Sequence, residues 1–177
     1  MVTVPGLYQF FRRQLGHGFR EQGIAEPATV DYLSDMLVRF AHTSALYVVH
    51  TRDDLPAETL AQLVTEWHRA QGWDDSTPSR VRETAIARHI GDYALFMSGF
   101  FRERVGSRGE LAYYCVHGRG AFGWCARREH NPHRARIYHG LYGNFERFAD
   151  ALDTFRRRQL PISPEARCGT IAALWRI

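Results

Sequence analysis

The chain has 177 residues, 45% of them hydrophobic and 24% charged, which are ordinary globular values. That length supports one well-formed core and argues against two. The formal net charge is +4, and all 23 basic residues are arginine, with 19 acidic residues spread among them. A GC-rich coding sequence produces such an exchange of lysine for arginine, and nucleic-acid binding would need the charge gathered on one face.

In chain order, Leu7, Phe11, Leu15 and Phe19 recur every four residues and predict an amphipathic helix over 7–22, with Arg12, Arg13 and Arg20 on its wet side. After Pro27, Thr29 reads as the cap of a second helix whose inner face is Val30, Leu33, Leu37 and Phe40. The short apolar segment 45–49 has no obvious partner strand and reads as helix or irregular structure. Asp54 and Pro56 make a helix start for a third element, with Leu60, Leu63, Val64 and Trp67 turned inward and Glu66 and His68 solvated. The polar stretch GWDDSTPS is a loop, and Ser79 caps the next helix.

That next helix, over 80–104, contains RHIGDYALFMSGFF and is the organising element of the chain. It is apolar nearly all round, which marks a buried central helix. Its apolar run over 93–101 is far shorter than the roughly 20 residues a membrane span requires. Gly91 and Gly99 suit a close approach by a neighbouring helix. After a loop over 105–109, Leu111, Tyr114, Gly118, Ala121 and Cys125 form a small-residue stripe that should pack on the central helix at both glycines. Gly118, Gly120 and Gly123 warn of a kink. A polar loop over 129–136 precedes one long helix over 137–159, with Leu141, Phe145, Phe148, Leu152 and Phe155 as its core face. The expectation is therefore an all-α, single-domain helical bundle of about six helices, with 1–25 and 161–177 as peripheral segments.

Two blocks carry a resemblance. Residues 91–101 read GD-x-x-LF-x-SGFF and residues 113–122 read YY-x-x-x-G-x-x-A-F. In that order, and with VDYLSDMLVRF before them and FERFADALDTF after, they resemble a group of bacterial cytosolic proteins over about residues 28–158. No activity is attached to that family, so the resemblance implies a fold and offers no mechanism. Its pattern carries methionine where this chain has His117, which argues against His117 as a shared ligand.

Several groups could carry chemistry. Arg88, His89 and Asp92 lie three and four residues apart and can meet on one side of the central helix. With Tyr114 they would line a polar ligand pocket, although a structural cluster that docks the helix is the plainer reading. Arg127, Arg128, His130, His133, Arg134 and Arg136 make a basic loop fit for an anion or phosphate. Cys115, His117, Cys125 and His130 are good zinc ligands by type, yet their spacing matches no standard site. In a regular helix Cys115 and Cys125 point about 80° apart. No E-x-x-H pair, phosphate loop, dinucleotide fingerprint or nucleophile elbow occurs, so no catalytic set and no cofactor is expected.

Three cysteines at no metal spacing, and an opening stretch without the pattern of a secretion signal, predict reduced thiols in a cytoplasmic protein. Taken together, these features predict a non-catalytic binding or assembly module. It would be a homodimer with an unknown protein partner, without membrane contact, and with nucleic acid as a less favoured ligand.

Overall fold

The computed structural model describes residues 4–24 and 26–160, and the peripheral segment expected over 161–177 lies outside them. The described residues form eight α-helices and one 3₁₀ turn around a single hydrophobic core. The helices are α1 (Val4–Glu21), α2 (Pro27–Phe40), α3 (Leu60–Ala70), α4 (Arg80–Phe100), α5 (Arg102–Ser107), α6 (Leu111–Arg128), α7 (Pro132–Gly143) and α8 (Phe145–Gln159), with the 3₁₀ turn at Thr43–Leu46. The protein is all-α, as the periodicity predicts. Its one β-bridge among the described residues pairs His50 with Pro56. No described helix is long and apolar enough to cross a membrane.

The central helix is the expected one. Every residue of α4 over 89–100 is buried; α3, α6 and α8 pack along it, and α2 reaches it through the side chains of Tyr32, Arg39 and Phe40. Its ends differ from expectation only at the C-terminus. Phe101 leaves the helical region (φ −116°, ψ 27°), so α4 stops at Phe100 and residues expected as its last turn and a loop become α5. The long helix expected over 137–159 is likewise broken at Asn144 (φ −129°, ψ 31°). Asn131 caps α7 by accepting from the backbone N–H groups of His133 and Arg134, so α7 starts inside the expected polar loop. These two breaks explain why eight helices form where about six were expected.

Two helix starts also differ. Pro27 opens α2 after Glu26, leaving Thr29 within its first turn. Thr59 and Gln62 form a capping box that delays α3 to Leu60. The first helix is no peripheral strap, because Phe11, Leu15 and Phe19 are fully buried against α2 and α8.

Glycine makes the close packing possible. A Cβ on Gly91 would stand 2.7 Å from the Phe122 ring of α6, and one on Gly118 would stand 2.6 Å from both the Ala94 Cβ of α4 and the Phe145 ring of α8. Gly99 faces α8, not α6 as expected, with the Leu152 Cβ 2.6 Å from where its own would be. In spite of its glycines α6 runs as one continuous helix.

Candidate functional site

Tyr32 and Arg39 lie seven residues apart on α2 and so share one face, which packs on the face of α4 that carries Arg88 and Asp92. Asp92 is 1% exposed and accepts from the Tyr32 hydroxyl at 2.6 Å and the Arg39 guanidinium at 3.0 Å. Burial, reinforced by the Asp92 carboxylate, pushes the Tyr32 hydroxyl far above its ordinary pKa, so it stays a donor. Arg88 is the second cation, with its Nε 3.9 Å from Asp92 and its guanidinium 5.7 Å over the Tyr32 ring. That Nε is buried and makes no hydrogen bond.

His89 does not join Asp92. Its Nε2 meets the Leu46 carbonyl at 3.2 Å, its ring packs edge-on to Phe40, and burial pushes its pKa down. A neutral ring that donates to the backbone ties the 3₁₀ turn to α4. Tyr114 lies in a separate cavity of about 410 Å³ with Tyr47, Tyr93 and Tyr113, where the Tyr93 hydroxyl donates to the Glu58 carbonyl at 3.1 Å. The four residues Arg88, His89, Asp92 and Tyr114 therefore do not line one pocket.

Glu66, expected in solvent, is 2% exposed. Arg69 holds it at 2.5 Å and Arg82, from the first turn of α4, at 2.8 Å. Arg82 also donates to the His50 carbonyl, so one buried carboxylate clamps α3, α4 and the segment between α2 and α3. The apolar stripe of α3 was legible, but the two guanidiniums that let Glu66 lie inside were not.

The expected basic loop becomes one wall of a cleft of about 760 Å³ between the N-terminal half of α4, the end of α6 and the start of α7. Arg127 and Arg128 line it from α6, His130 from the link and Arg134 from α7, and Arg80 and Arg88 line it from α4. Trp124, Cys125 and Tyr138 supply apolar lining, and Glu83 and Glu129 are its two carboxylates. The short link between α6 and α7 explains the gathering: the basic end of one helix and the basic beginning of the next meet at the same end of a hairpin. Arg134 leans on Glu129 at 3.4 Å, and Arg128 lies 4.4 Å over the Trp124 ring. Arg80 and Arg127 have no ion pair among the described residues. Of the remaining candidates, His133 and Arg136 are exposed on α7 outside the cleft lining. Arg88 thus belongs to both arrangements, with one side toward Asp92 and the other toward the cleft.

No family model, curated protein or solved structure matches the chain.

The zinc candidates do not converge: among the described residues no three histidine, cysteine or carboxylate side chains are placed to hold one metal. Burial pushes the Cys125 thiol up to about 12 and raises Cys115 as well, so both stay protonated near neutral pH. His117 instead packs on Tyr113, with ring centroids 4.3 Å apart. A further concavity of about 680 Å³ between α1 and α2 is lined by Arg12, Arg13 and Arg20. There Arg12 is engaged by Asp31 at 2.5 Å and Arg20 by the Gly16 carbonyl at 2.8 Å.

Proposed function

We propose that the protein is a non-catalytic binding module that takes an anionic ligand in the cleft between α4, α6 and α7. The observation that carries this reading is the gathering of five arginines and a histidine against two glutamates around one concavity. Guanidinium forks pair with phosphate or carboxylate oxygens two at a time, and a concave low-dielectric wall strengthens their field. The lack of catalysis is supported by the state of the reactive groups. Asp92 and Glu66 are saturated by hydroxyl and guanidinium donors, His89 is tied to a carbonyl, and both described thiols are held protonated. A cytosolic setting is part of the proposal, supported by free Cys115 and Cys125.

Isothermal titration with tripolyphosphate at low and moderate salt tests the reading. Binding that weakens as salt rises, and that is lost in Arg127→Ala/Arg128→Ala/Arg134→Ala, is the expected result. A parent protein that takes up no anion at low salt refutes it.

Self-association is a second reading, supported by Val116 (67% exposed) and Tyr113 on the outer side of α6. Light scattering decides it, since a dimer should become a monomer in Val116→Glu.

A further inference from the structure

Beyond the cleft, the same end of the molecule carries a continuous run of aromatic rings. It begins at Trp73, which is 62% exposed in the loop after α3. The Trp73 ring stacks on His68, with centroids 4.6 Å apart and planes at 19°. His68 in turn stacks on Trp67 at 6.2 Å and 20°. Trp67 meets Trp124 edge-on at 5.9 Å, and Trp124 lines the basic cleft beneath the Arg128 guanidinium. A path of ring contacts thus runs from an open indole face to the arginine wall. Asp74, next to the open indole, is drawn back toward Arg69 at 3.8 Å.

We propose that the ligand of the cleft is single-stranded nucleic acid, with its phosphates in the arginine wall and a neighbouring base stacked on the free face of Trp73. The proposal rests on the anion-binding reading above. A groove that neutralises the backbone, joined to rings that stack bases, is how proteins hold single strands without reading their sequence. A duplex does not fit this arrangement, because its bases are already stacked on one another and offer Trp73 no free face. A simple anion would use the arginines and ignore the ledge. Trp73 is solvent-exposed in the loop after α3, and with His68 stacked on its ring the indole is held ready for a second stacking partner.

The test is fluorescence anisotropy with fluorescein-labelled oligothymidylate, with unlabelled polyphosphate as competitor, on the parent and on three variants: Trp73→Ala, Trp73→Phe and Arg127→Ala/Arg128→Ala/Arg134→Ala. The oligonucleotide should bind the parent. Trp73→Ala should weaken it at least about fivefold, and Trp73→Phe should restore most of that loss, since one stacked base is the interaction removed. Polyphosphate should compete equally well against the parent and Trp73→Ala. The arginine variant should bind both ligands far more weakly and flatten the logarithmic salt dependence of its remaining oligonucleotide binding by about 2. Oligonucleotide affinity unchanged in Trp73→Ala, or polyphosphate binding without oligonucleotide binding, overturns the nucleic-acid inference and leaves the anion site standing. Failure of both ligands to bind the parent overturns the two together.

Discussion

Replacing Asp92 by alanine should destabilise the protein by about 2–4 kcal/mol. Removing one partner of a buried ion pair costs roughly 3–5 kcal/mol, because the remaining charge loses its counter-ion inside the protein. Here the cation left behind is Arg39, whose side chain is 35% exposed, so water takes over part of the lost solvation and lowers the cost. The Tyr32 hydroxyl, part-buried at 2.6 Å from Asp92, loses its acceptor as well and contributes about 1–3 kcal/mol of the loss. Two-state urea unfolding followed by circular dichroism gives the number, and at roughly 2–4 °C per kcal/mol the melting midpoint should fall by about 5–15 °C. Asp92→Asn preserves an acceptor for Tyr32 and should recover about half of the loss. A double-mutant cycle with Arg39→Ala should return a coupling of about 1–3 kcal/mol, and one with Arg88→Ala less, because Arg88 stands farther off at 3.9 Å. A midpoint unchanged in Asp92→Ala, or strict additivity with Arg39→Ala, would refute the account of α2 docking on α4.

Gly118→Ala and Gly120→Ala should move stability in opposite directions. The first places a methyl 2.6 Å from Ala94 and the Phe145 ring and should cost about 2–3 kcal/mol, whereas the second meets open space and should gain about 0.5–1 kcal/mol; thermal melts of the two read this directly. Alkylation by iodoacetamide near pH 8 should leave Cys125 unmodified in the folded protein and modify it after denaturation, as peptide mass spectrometry would register. His89 has a folded-state pKa below its unfolded value of about 6.5. Its neutral form is therefore the stabilising one, so its contribution is complete above that pH and is lost as pH falls below it. Urea midpoints measured between about pH 7 and 5 should decline, and His89→Gln should flatten the decline.

The helices that carry a single apolar stripe were legible because burial of that stripe is what forms them: Phe11, Leu15 and Phe19 in α1, and Leu60, Leu63 and Val64 in α3, lie where their spacing puts them. The centrality of α4 was legible for the converse reason, an apolar circumference that only a surrounded helix can satisfy. The breaks at Phe101 and Asn144 were not, since neither follows a proline and the apolar spacing continues across both. Within the site, the basic residues near α7 were visible as a run, but their assembly with Arg80 and Arg88 across a hairpin is a tertiary fact. The partners of Asp92 illustrate the limit best. Local spacing offered Arg88 and His89, one turn away on the same helix, while the closest donors, Tyr32 and Arg39, come from sixty and fifty-three residues upstream.

Helical bundles held together by uniform leucine-rich stripes are prone to slide, because a shift of one turn, about 5.4 Å, presents a similar surface to the same neighbour. The glycine positions on α4 and α6 remove that degeneracy here. Phe122 enters at Gly91, Phe145 at Gly118 and Leu152 at Gly99, three recesses on different sides of the central pair. A one-turn displacement of α6 would take the recesses at Gly91 and Gly118 out of register, and one of α8 those at Gly118 and Gly99. The arrangement works as a set of keys cut for one lock. That single register fixes the ends of α4 and α6 relative to each other, and it is at those ends that the arginines and tryptophans meet.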